Sequence, residues 1–206
     1  KAPKYGRDDN EADAMAKQVM DLWCNETWKH KTASTGRQFR PGMLSWNYWA
    51  GDGFVMAASA DGRHKGQFLS NAICPSNGAD INGPTANANS VGKVMGGKAA
   101  DGNGHWGGYL NCLPNGASHT ITFNPSIIRD PEHREKFKAF LRGYGENGGS
   151  ALQINMLDPE VLRDAQKNPR DYRHLLVRIT GYNAYFTTVG RELQDEVIQR
   201  VSHGRF

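Results

Sequence analysis

The side chains best suited to metal chemistry in this sequence are three cysteines and several scattered histidines. A structural zinc site needs thiolates or imidazoles at short spacing, such as Cys-x-x-Cys or His-x-x-x-His. Cys24, Cys74 and Cys112 lie far apart, and His64, His105, His119 and His174 show no such spacing. The pattern therefore predicts no metal in this chain and three reduced thiols buried as small apolar groups.

A single glycine interrupts the most strand-like run of the last third of the sequence. Residues 176–186 read Leu-Val-Arg-Ile-Thr-Gly-Tyr-Asn-Ala-Tyr-Phe, apolar or aromatic on both sides of Gly181. Glycine weakens a strand, so its presence needs a physical reason. One interpretation is a β-bulge or a close approach of backbones. The other is chemistry at the glycine α-carbon itself.

The sequence around Gly181 resembles the radical loop at the C-terminus of glycyl radical enzymes. That family has Arg, then Val or Ile, any residue, Gly and usually an aromatic residue, followed by a helix with Gln, acidic positions and Ile. The matching positions are Arg178, Ile179, Gly181, Tyr182, Gln194, Asp195, Glu196 and Ile198. Two further blocks are similar to family motifs: Asp61-Gly62-Arg63 with Gly66 and Leu69, and Gly148-Gly149 with Gln153 and Asn155. The similarity spans most of the chain.

The resemblance implies that Gly181 stores an unpaired electron on its α-carbon, in a loop supported by Arg178, Ile179, Thr180 and Tyr182. Such a radical is planar when it delocalises onto the neighbouring amide nitrogen and carbonyl, and a side chain would obstruct that planarity. Glycine has none and tolerates unusual backbone angles. Arg178 is expected to brace the loop rather than to touch substrate. The apolar neighbours are expected to exclude water and oxygen; they are Ile179, Tyr182, Tyr185 and Phe186.

The resemblance also implies partners for the chain. In the family, a radical S-adenosylmethionine activating enzyme with an iron–sulfur cluster abstracts the glycine hydrogen. The radical then passes to a cysteine on a loop inside the barrel, several hundred residues upstream of the glycine, and none of the three cysteines here matches that loop. The expected partners are the activating enzyme and the rest of the catalytic chain that carries the thiyl cysteine, with room for small accessory subunits and a homodimer partner.

The reaction is predicted from the residues that follow the glycine. The Tyr-Asn-Ala-Tyr-Phe run and residues 191–203 look most similar to alkylsuccinate synthases, which add a hydrocarbon to fumarate. Asn183 stands where many relatives have Ser. The alternatives are an aryl acetate decarboxylase or another lyase of the same family, and a non-catalytic spare part that donates a fresh radical domain. The chain is longer than the spare-part role needs.

Helix and strand signals alternate along the chain and predict a mixed α/β fold. Predicted helices cover residues 8–31, 86–95 and 158–167, with two more starting near residues 130 and 191; predicted strands cover 109–113, 120–123, 151–157 and 175–179. Residues 37–60 are predicted to be extended. The resemblance implies the C-terminal part of a ten-stranded α/β barrel of the pyruvate formate-lyase type, ending in the glycyl radical loop and a terminal helix. Residues 1–105 would belong to the barrel and 106–206 would form the glycyl radical domain.

Two groups of residues outside the loop allow more than one interpretation. Asp61 and Arg63 could bind an anionic substrate, but a turn closed by an ion pair between them is favoured. The aromatic residues Trp46, Tyr48 and Trp49 could line an apolar pocket or pack in the core.

Composition excludes some classes of function. The 206 residues are 38% hydrophobic, enough for a core, and the 25 Lys and Arg are interleaved with 21 acidic residues despite the net charge of +4. A nucleic-acid footprint should be clustered, so none is expected. No apolar run is long enough to span a membrane, and with reduced thiols this predicts a cytoplasmic protein. The start at Lys1 without methionine reads like the middle of a longer chain, so we expect a fragment or a processed subunit.

Overall fold

Helices and strands alternate in the computed structural model, which describes residues 2–96, 112–200 and 202–203. The α-helices are α1 (Asn10–Thr27), α2 (Tyr48–Val55), α3 (Pro84–Met95), α4 (Pro131–Glu146), α5 (Pro159–Lys167) and α6 (Arg191–Gln199). The strands are β1 (Ser118–Phe123), β2 (Ala151–Met156), β3 (Leu176–Arg178), β4 (Asn183–Tyr185) and β5 (Ser202–His203). The predicted mixed α/β character is confirmed.

Two β structures position the segment around Gly181. β1 is the central strand of a parallel sheet in the order β2-β1-β5, and α4 makes the crossover between β1 and β2. β3 and β4 form a separate antiparallel hairpin in which Val177 faces Ala184 and Arg178 faces Asn183. Gly181 lies in the loop of this hairpin, residues 179–182. The paired strands on either side of the loop therefore determine its position.

Two clusters of buried apolar side chains hold these elements together. The first joins α1, α3 and α4 to β1 and includes Met20, Val91, Phe123 and Phe140. The second lies under the hairpin and joins α2, α5 and α6; it includes Trp49, Leu162, Val177, Ile179, Phe186 and Val197. The predicted domain boundary at 105/106 lies outside the described residues. Since the first cluster draws on residues from both sides of it, the division into two domains stays a prediction.

Asp8 or Asp9 before the first helix, and Asp-Pro-Glu at residues 130–132 and 158–160, predict three helix starts, and all three form. The side chain of Asp9 accepts hydrogen bonds from the backbone N–H groups of Glu11 and Ala12, both at 3.0 Å. Asp130 and Asp158 cap α4 and α5 in the same way, each followed by proline at the first helical position. No helix in the described ranges combines the length and the apolar character needed to cross a bilayer.

The prediction of extended chain over residues 37–60 is wrong for α2. Its aromatic and glycine residues have low helix propensity, but the helix buries Trp49 and brings Gly53 against the backbone of residues 67–69. A Cβ on Gly53 would lie 2.6 Å from the carbonyl oxygen of Gln67, so this close packing requires glycine. Tertiary contact therefore overrides local propensity here.

Three other local predictions, for a strand, a core-facing residue and a turn, are not fully confirmed. The strand predicted at 109–113 lies mostly outside the described residues, and Cys112 and Leu113 are not in a strand. The positions of Phe137, Phe140 and Leu141 in the sequence predict that all three face the core, but Leu141 is 38% exposed. The favoured turn at 61–63 is present. Within the described chain, however, Arg63 forms no ion pair with Asp61 and instead donates hydrogen bonds to the carbonyl oxygens of residues 57, 64 and 67.

Candidate functional site: the hairpin loop at Gly181

Gly181 sits in a backbone conformation that favours glycine. Its φ is +72°, in the left-handed region where a side chain is strained. Among the described residues, no heavy atom beyond its chain neighbours lies within 4 Å of a Cβ built on Gly181. The reason for glycine is therefore backbone conformation and not crowding, and the α-carbon is open on one side. The loop is closed by a hydrogen bond of 2.9 Å from the Ile179 N–H to the Tyr182 carbonyl.

The side chain of Gln153 on β2 holds the loop from below. Its Nε2 donates to the Ile179 carbonyl at 3.1 Å, and its Oε1 accepts from the Gly181 N–H at 2.9 Å. One amide thus binds both a carbonyl and an N–H of the same loop. β2 is fixed in turn by its parallel register with β1, in which Gln153 pairs with Thr120.

A buried ion pair at the end of α6 holds the strand that leads into the loop. Arg200 donates to Glu196 from Nε at 3.1 Å and from Nη2 at 2.7 Å, and the side chains are 7% and 1% exposed. The guanidinium also donates to the backbone carbonyls of Arg178 at 3.1 Å and Ile179 at 3.5 Å. Arginine supplies enough donors for both tasks, which a lysine could not match in this geometry.

Thr180 ties the loop to a distant part of the chain. Its side chain is buried, and its hydroxyl donates to the backbone carbonyl of Trp46. Trp46 itself has a φ of +50°, unusual for a non-glycine residue, and its side chain is 64% exposed. Between them lies a mostly apolar pocket of about 200 Å³ lined by Leu44, Ser45, Trp46, Ser118, Thr180, Gly181 and Tyr182.

The apolar shield predicted around the glycine is only half present in this chain. Ile179 and Phe186 are fully buried, but Tyr182 and Tyr185 are 37% and 49% exposed, and Gly181 is exposed as well. The hairpin explains the difference, since side chains alternate between its two faces and Tyr185 pairs with Leu176 on the outer one. Within this chain Tyr182 and Tyr185 do not bury the glycine, so their part in the shield stays a prediction.

Of the loop residues predicted to support Gly181, Arg178 makes the weakest contacts. Its Nε lies 3.4 Å from Gln153 Oε1, and its Nη1 lies 3.4 Å from Asn183 Oδ1. Both distances are at the long end for hydrogen bonds. The role of Arg178 as a brace stays a prediction, whereas Gln153 and Arg200 make shorter contacts to the loop. In the sequence, Gln153 stands out only as part of a motif, and no pattern singles out Arg200.

Trp46, Tyr48 and Trp49, for which core packing and pocket lining were both possible, do not share one role. Trp49 is 2% exposed and packs in the core beneath the hairpin. Trp46 lines the pocket beside Gly181, and Tyr48 is 65% exposed. Core packing thus accounts for Trp49 alone.

The three cysteines are buried, unpaired thiols, as predicted. Burial raises the pKa of Cys74 to about 11, and its sulfur accepts a hydrogen bond from the Thr120 N–H at 3.1 Å. A thiol so protonated is a poor nucleophile. Within the described residues, no group of three or more His, Cys, Asp and Glu side chains is arranged to hold a metal ion.

Comparison with known proteins identifies the class to which this loop belongs. The glycine radical family model matches residues 107–187, which include the whole hairpin. The pyruvate formate lyase-like family model matches residues 1–51. The chain belongs to the glycyl radical enzyme family, and it contains the glycine radical domain of that family.

Particular relatives and solved structures extend the match to nearly the whole chain. It is 34% identical to trans-4-hydroxy-L-proline dehydratase of Clostridioides difficile over 97% of its length, and 34% identical to indoleacetate decarboxylase of Tractidigestivibacter scatoligenes over 98%. The structure is similar to that of the B12-independent glycerol dehydratase from Clostridium butyricum, with a TM-score of 0.84 and 32% identity over 98% of this chain. A glycyl radical enzyme from Archaeoglobus fulgidus gives a TM-score of 0.82 with 34% identity over 99% of this chain.

These matches also identify the fold of the chain and show how much of each relative's length the chain spans. The chain has the fold of the C-terminal part of the pyruvate formate lyase-like α/β barrel, as predicted. It spans 23% of the length of the hydroxyproline dehydratase, 21% of the indoleacetate decarboxylase and 24% of each of the two solved chains.

Proposed function

We propose that Gly181 is the residue that stores the unpaired electron. The observation that carries this proposal is a glycine at a φ of +72° with an open α-carbon, in a loop held at three successive residues, within the segment matched by the glycine radical model. These residues fit the group, because a hydrogen atom on the α-carbon can be reached from outside the chain.

The residues of this chain act by fixing the peptide unit that precedes the α-carbon. Gln153 binds the Gly181 N–H and the Ile179 carbonyl. Thr180, the residue between them, donates a hydrogen bond to the Trp46 carbonyl. The radical, when present, supplies a centre that can exchange a hydrogen atom with a cysteine thiol.

The exposure of Gly181 has a direct implication for its partners. A stored radical must be kept from water and oxygen, but Gly181 and Tyr182 are exposed in this chain. We propose that the rest of the catalytic chain, which carries the thiyl cysteine, covers the loop. The same exposure would allow a radical S-adenosylmethionine activating enzyme to reach the α-carbon before the loop is covered.

For the reaction of the whole protein we propose a radical lyase. The relatives that support this are dehydratases and a decarboxylase: trans-4-hydroxy-L-proline dehydratase, (2S)-3-sulfopropanediol dehydratase at 33% identity, and indoleacetate decarboxylase. The comparisons do not support the alkylsuccinate synthase predicted from the residues after the glycine. Elimination of water from a small hydroxylated substrate is the first candidate reaction. Decarboxylation of an aryl acetate is the second, favoured by the 34% identity to indoleacetate decarboxylase.

Electron paramagnetic resonance of the anaerobically activated protein tests the assignment of Gly181. We expect a doublet from the remaining α-hydrogen, its loss in Gly181→Ala, and cleavage of the wild-type chain at residue 181 on exposure to air. Gly36→Ala is the matched control, because Gly36 also has a positive φ, +65°, and open space around its α-carbon. A wild type without a doublet, or a doublet that persists in Gly181→Ala, would refute the assignment.

Product analysis separates the two candidate reactions. The activated whole protein, including the part that carries the thiyl cysteine, is incubated with small diols, with hydroxyproline and with aryl acetates. Dehydration yields an aldehyde or an unsaturated product, and decarboxylation yields carbon dioxide. A radical-bearing protein that forms neither kind of product would exclude the proposed lyase while leaving the radical site intact.

A further inference from the structure

We propose that Gln153 is a positioning residue that tunes the radical at Gly181 through the amide hydrogen bond it accepts. The inference rests on the proposed function and adds to it a residue outside the loop. The contact is direct, since Gln153 Oε1 lies 2.9 Å from the Gly181 nitrogen. The nitrogen is one of the two groups onto which an unpaired electron at the α-carbon delocalises.

The orientation of the Gln153 amide is dictated by its partners. The Ile179 carbonyl can only accept a hydrogen bond and the Gly181 N–H can only donate one, so a flipped amide would place like groups together at both contacts. The Nε of Arg178, a donor 3.4 Å from Oε1, favours the same orientation. Gln153 therefore presents an oxygen to the glycine nitrogen.

This arrangement has two physical effects on the α-carbon. The pair of hydrogen bonds spans residues 179 and 181 and holds the peptide unit before the glycine in a fixed plane. An acceptor on the N–H also increases electron density at the nitrogen, which strengthens its donation into the half-filled orbital of the neighbouring carbon. Such hydrogen bonds are stronger away from bulk solvent, so the proposed covering of the loop by the rest of the catalytic chain would increase both effects.

The position of Gln153 suits a rigid support. It lies in β2, whose six residues pair in register with β1, and the next residue but one, Asn155, is 4% exposed. Sites built on strands hold geometry more tightly than sites built on loops. The strand therefore supplies the fixed side of the contact with the hairpin loop.

Two variants and one control separate this role from a general effect on folding. Gln153→Met removes both hydrogen bonds and keeps a similar length, whereas Gln153→Glu keeps an oxygen that can accept from the Gly181 N–H. Gln166→Met is the control, because Gln166 is also half-buried and also donates from Nε2, to Asp195 at 2.7 Å, without contacting the loop.

The first measurement is amide hydrogen exchange at Gly181 in the protein before activation. Loss of one neutral hydrogen bond should speed exchange roughly two- to tenfold in Gln153→Met. Gln153→Glu should retain protection, since a carboxylate is a strong acceptor. Gln166→Met should match the wild type. Unchanged exchange in Gln153→Met would overturn the proposal without reference to any radical.

The second measurement is made on the radical itself. Spectra recorded in H₂O and in D₂O isolate the splitting from the exchangeable amide proton. We expect this splitting to change and the radical half-life to shorten in Gln153→Met, with recovery toward the wild type in Gln153→Glu. A wild-type doublet with the same splitting and half-life in Gln153→Met would overturn this inference alone. Absence of a doublet in the wild type would overturn the proposed function together with it.

Discussion

Two glycines near the hairpin are required for different physical reasons. Gly181 has a positive φ and open space around its α-carbon. Gly149, which precedes β2, has neighbours instead: a Cβ there would lie 2.3 Å from Cε1 of Tyr144. The Tyr144 ring is buried and lies tilted against the His119 ring, with 5.4 Å between ring centroids, so it cannot move aside freely.

This difference predicts unequal costs of adding one methyl group. Gly181→Ala should lower the free energy of unfolding by about 1–2 kcal/mol, the cost of a left-handed conformation for a residue with a side chain. Gly149→Ala should cost more, about 3 kcal/mol, because it overpacks a buried ring. Urea denaturation of both variants and the wild type measures the two values. Equal losses would contradict the distinction.

At this scale the sequence identifies the glycine but not its supports. Gly181 stands out because it interrupts an apolar strand and because its neighbours match a family pattern. The contact from Gln153 depends on β2 lying beside the hairpin, 28 residues apart along the chain. Spacing in the sequence carries no signal for such a contact, so only the folded chain reveals it.

Helix α6 positions the loop through its end rather than through its apolar face. The sequence pattern predicts that Leu193 and Val197 pack inward, and both lie in the cluster under the hairpin. It does not predict that Arg200, just past the helix end, turns into the protein. Burying a guanidinium requires Glu196 one turn earlier and a backbone carbonyl at the end of β3 that accepts from it, and the second of these comes from tertiary structure.

Breaking this ion pair should destabilise the protein strongly. Arg200→Met leaves Glu196 buried without its partner, which typically costs about 3–5 kcal/mol, and should make the hairpin more sensitive to proteolysis. The double variant Glu196→Met/Arg200→Met should recover part of the loss, because no buried charge is left unpaired. Urea denaturation and limited proteolysis measure these effects.

An arginine on the same helix provides the control for this experiment. Arg191 lies 3.4 Å from Asp195, and the side chains are 65% and 42% exposed. Exposed pairs contribute little, so Arg191→Met should cost less than about 1 kcal/mol. A similar loss in both arginine variants would show that burial does not decide the effect.

For the whole molecule, a buried histidine makes stability depend on pH. His119 is 0% exposed, and burial lowers its pKa to about 4 from the usual 6.5, while Asn87 Oδ1 lies 2.9 Å from its Nε2. The unfolded chain binds a proton below pH 6.5, but the folded chain does so only near pH 4. The contribution of His119 is therefore fully present above pH 6.5 and is lost as the pH falls from 6.5 to 4.

The contribution of His119 to stability can be measured in a pH range where most carboxylates stay ionised. A shift of this extent corresponds to roughly 3 kcal/mol, of which the larger part should be lost between pH 7 and pH 5. Urea denaturation at several pH values should show a weaker dependence in His119→Gln than in the wild type. His174→Gln, at an exposed position, should keep the wild-type slope; the same slope in His119→Gln would refute the assignment.

The resemblance noted in the sequence predicts the fold of the whole chain better than it predicts the reaction. Helix caps, strand patterns and buried cysteines follow from local signals and from hydrophobicity, and most are confirmed. The helix α2 does not follow from them, because the close approach of Gly53 to residues 67–69 depends on tertiary packing. The reaction is set by a substrate pocket, and the short run after Gly181 carries too little information to specify one.

The packing of the hairpin determines whether the two pieces of a chain cleaved at Gly181 stay associated. The segment after the break contains β4, α6 and β5, which pair with β3, share an apolar cluster with α2 and α5, and pair with β1 respectively. Those contacts do not pass through the broken bond. A nicked molecule should therefore migrate as one species on a native sizing column and separate into two peptides only in denaturant, so oxygen damage would stay hidden from any assay of native size.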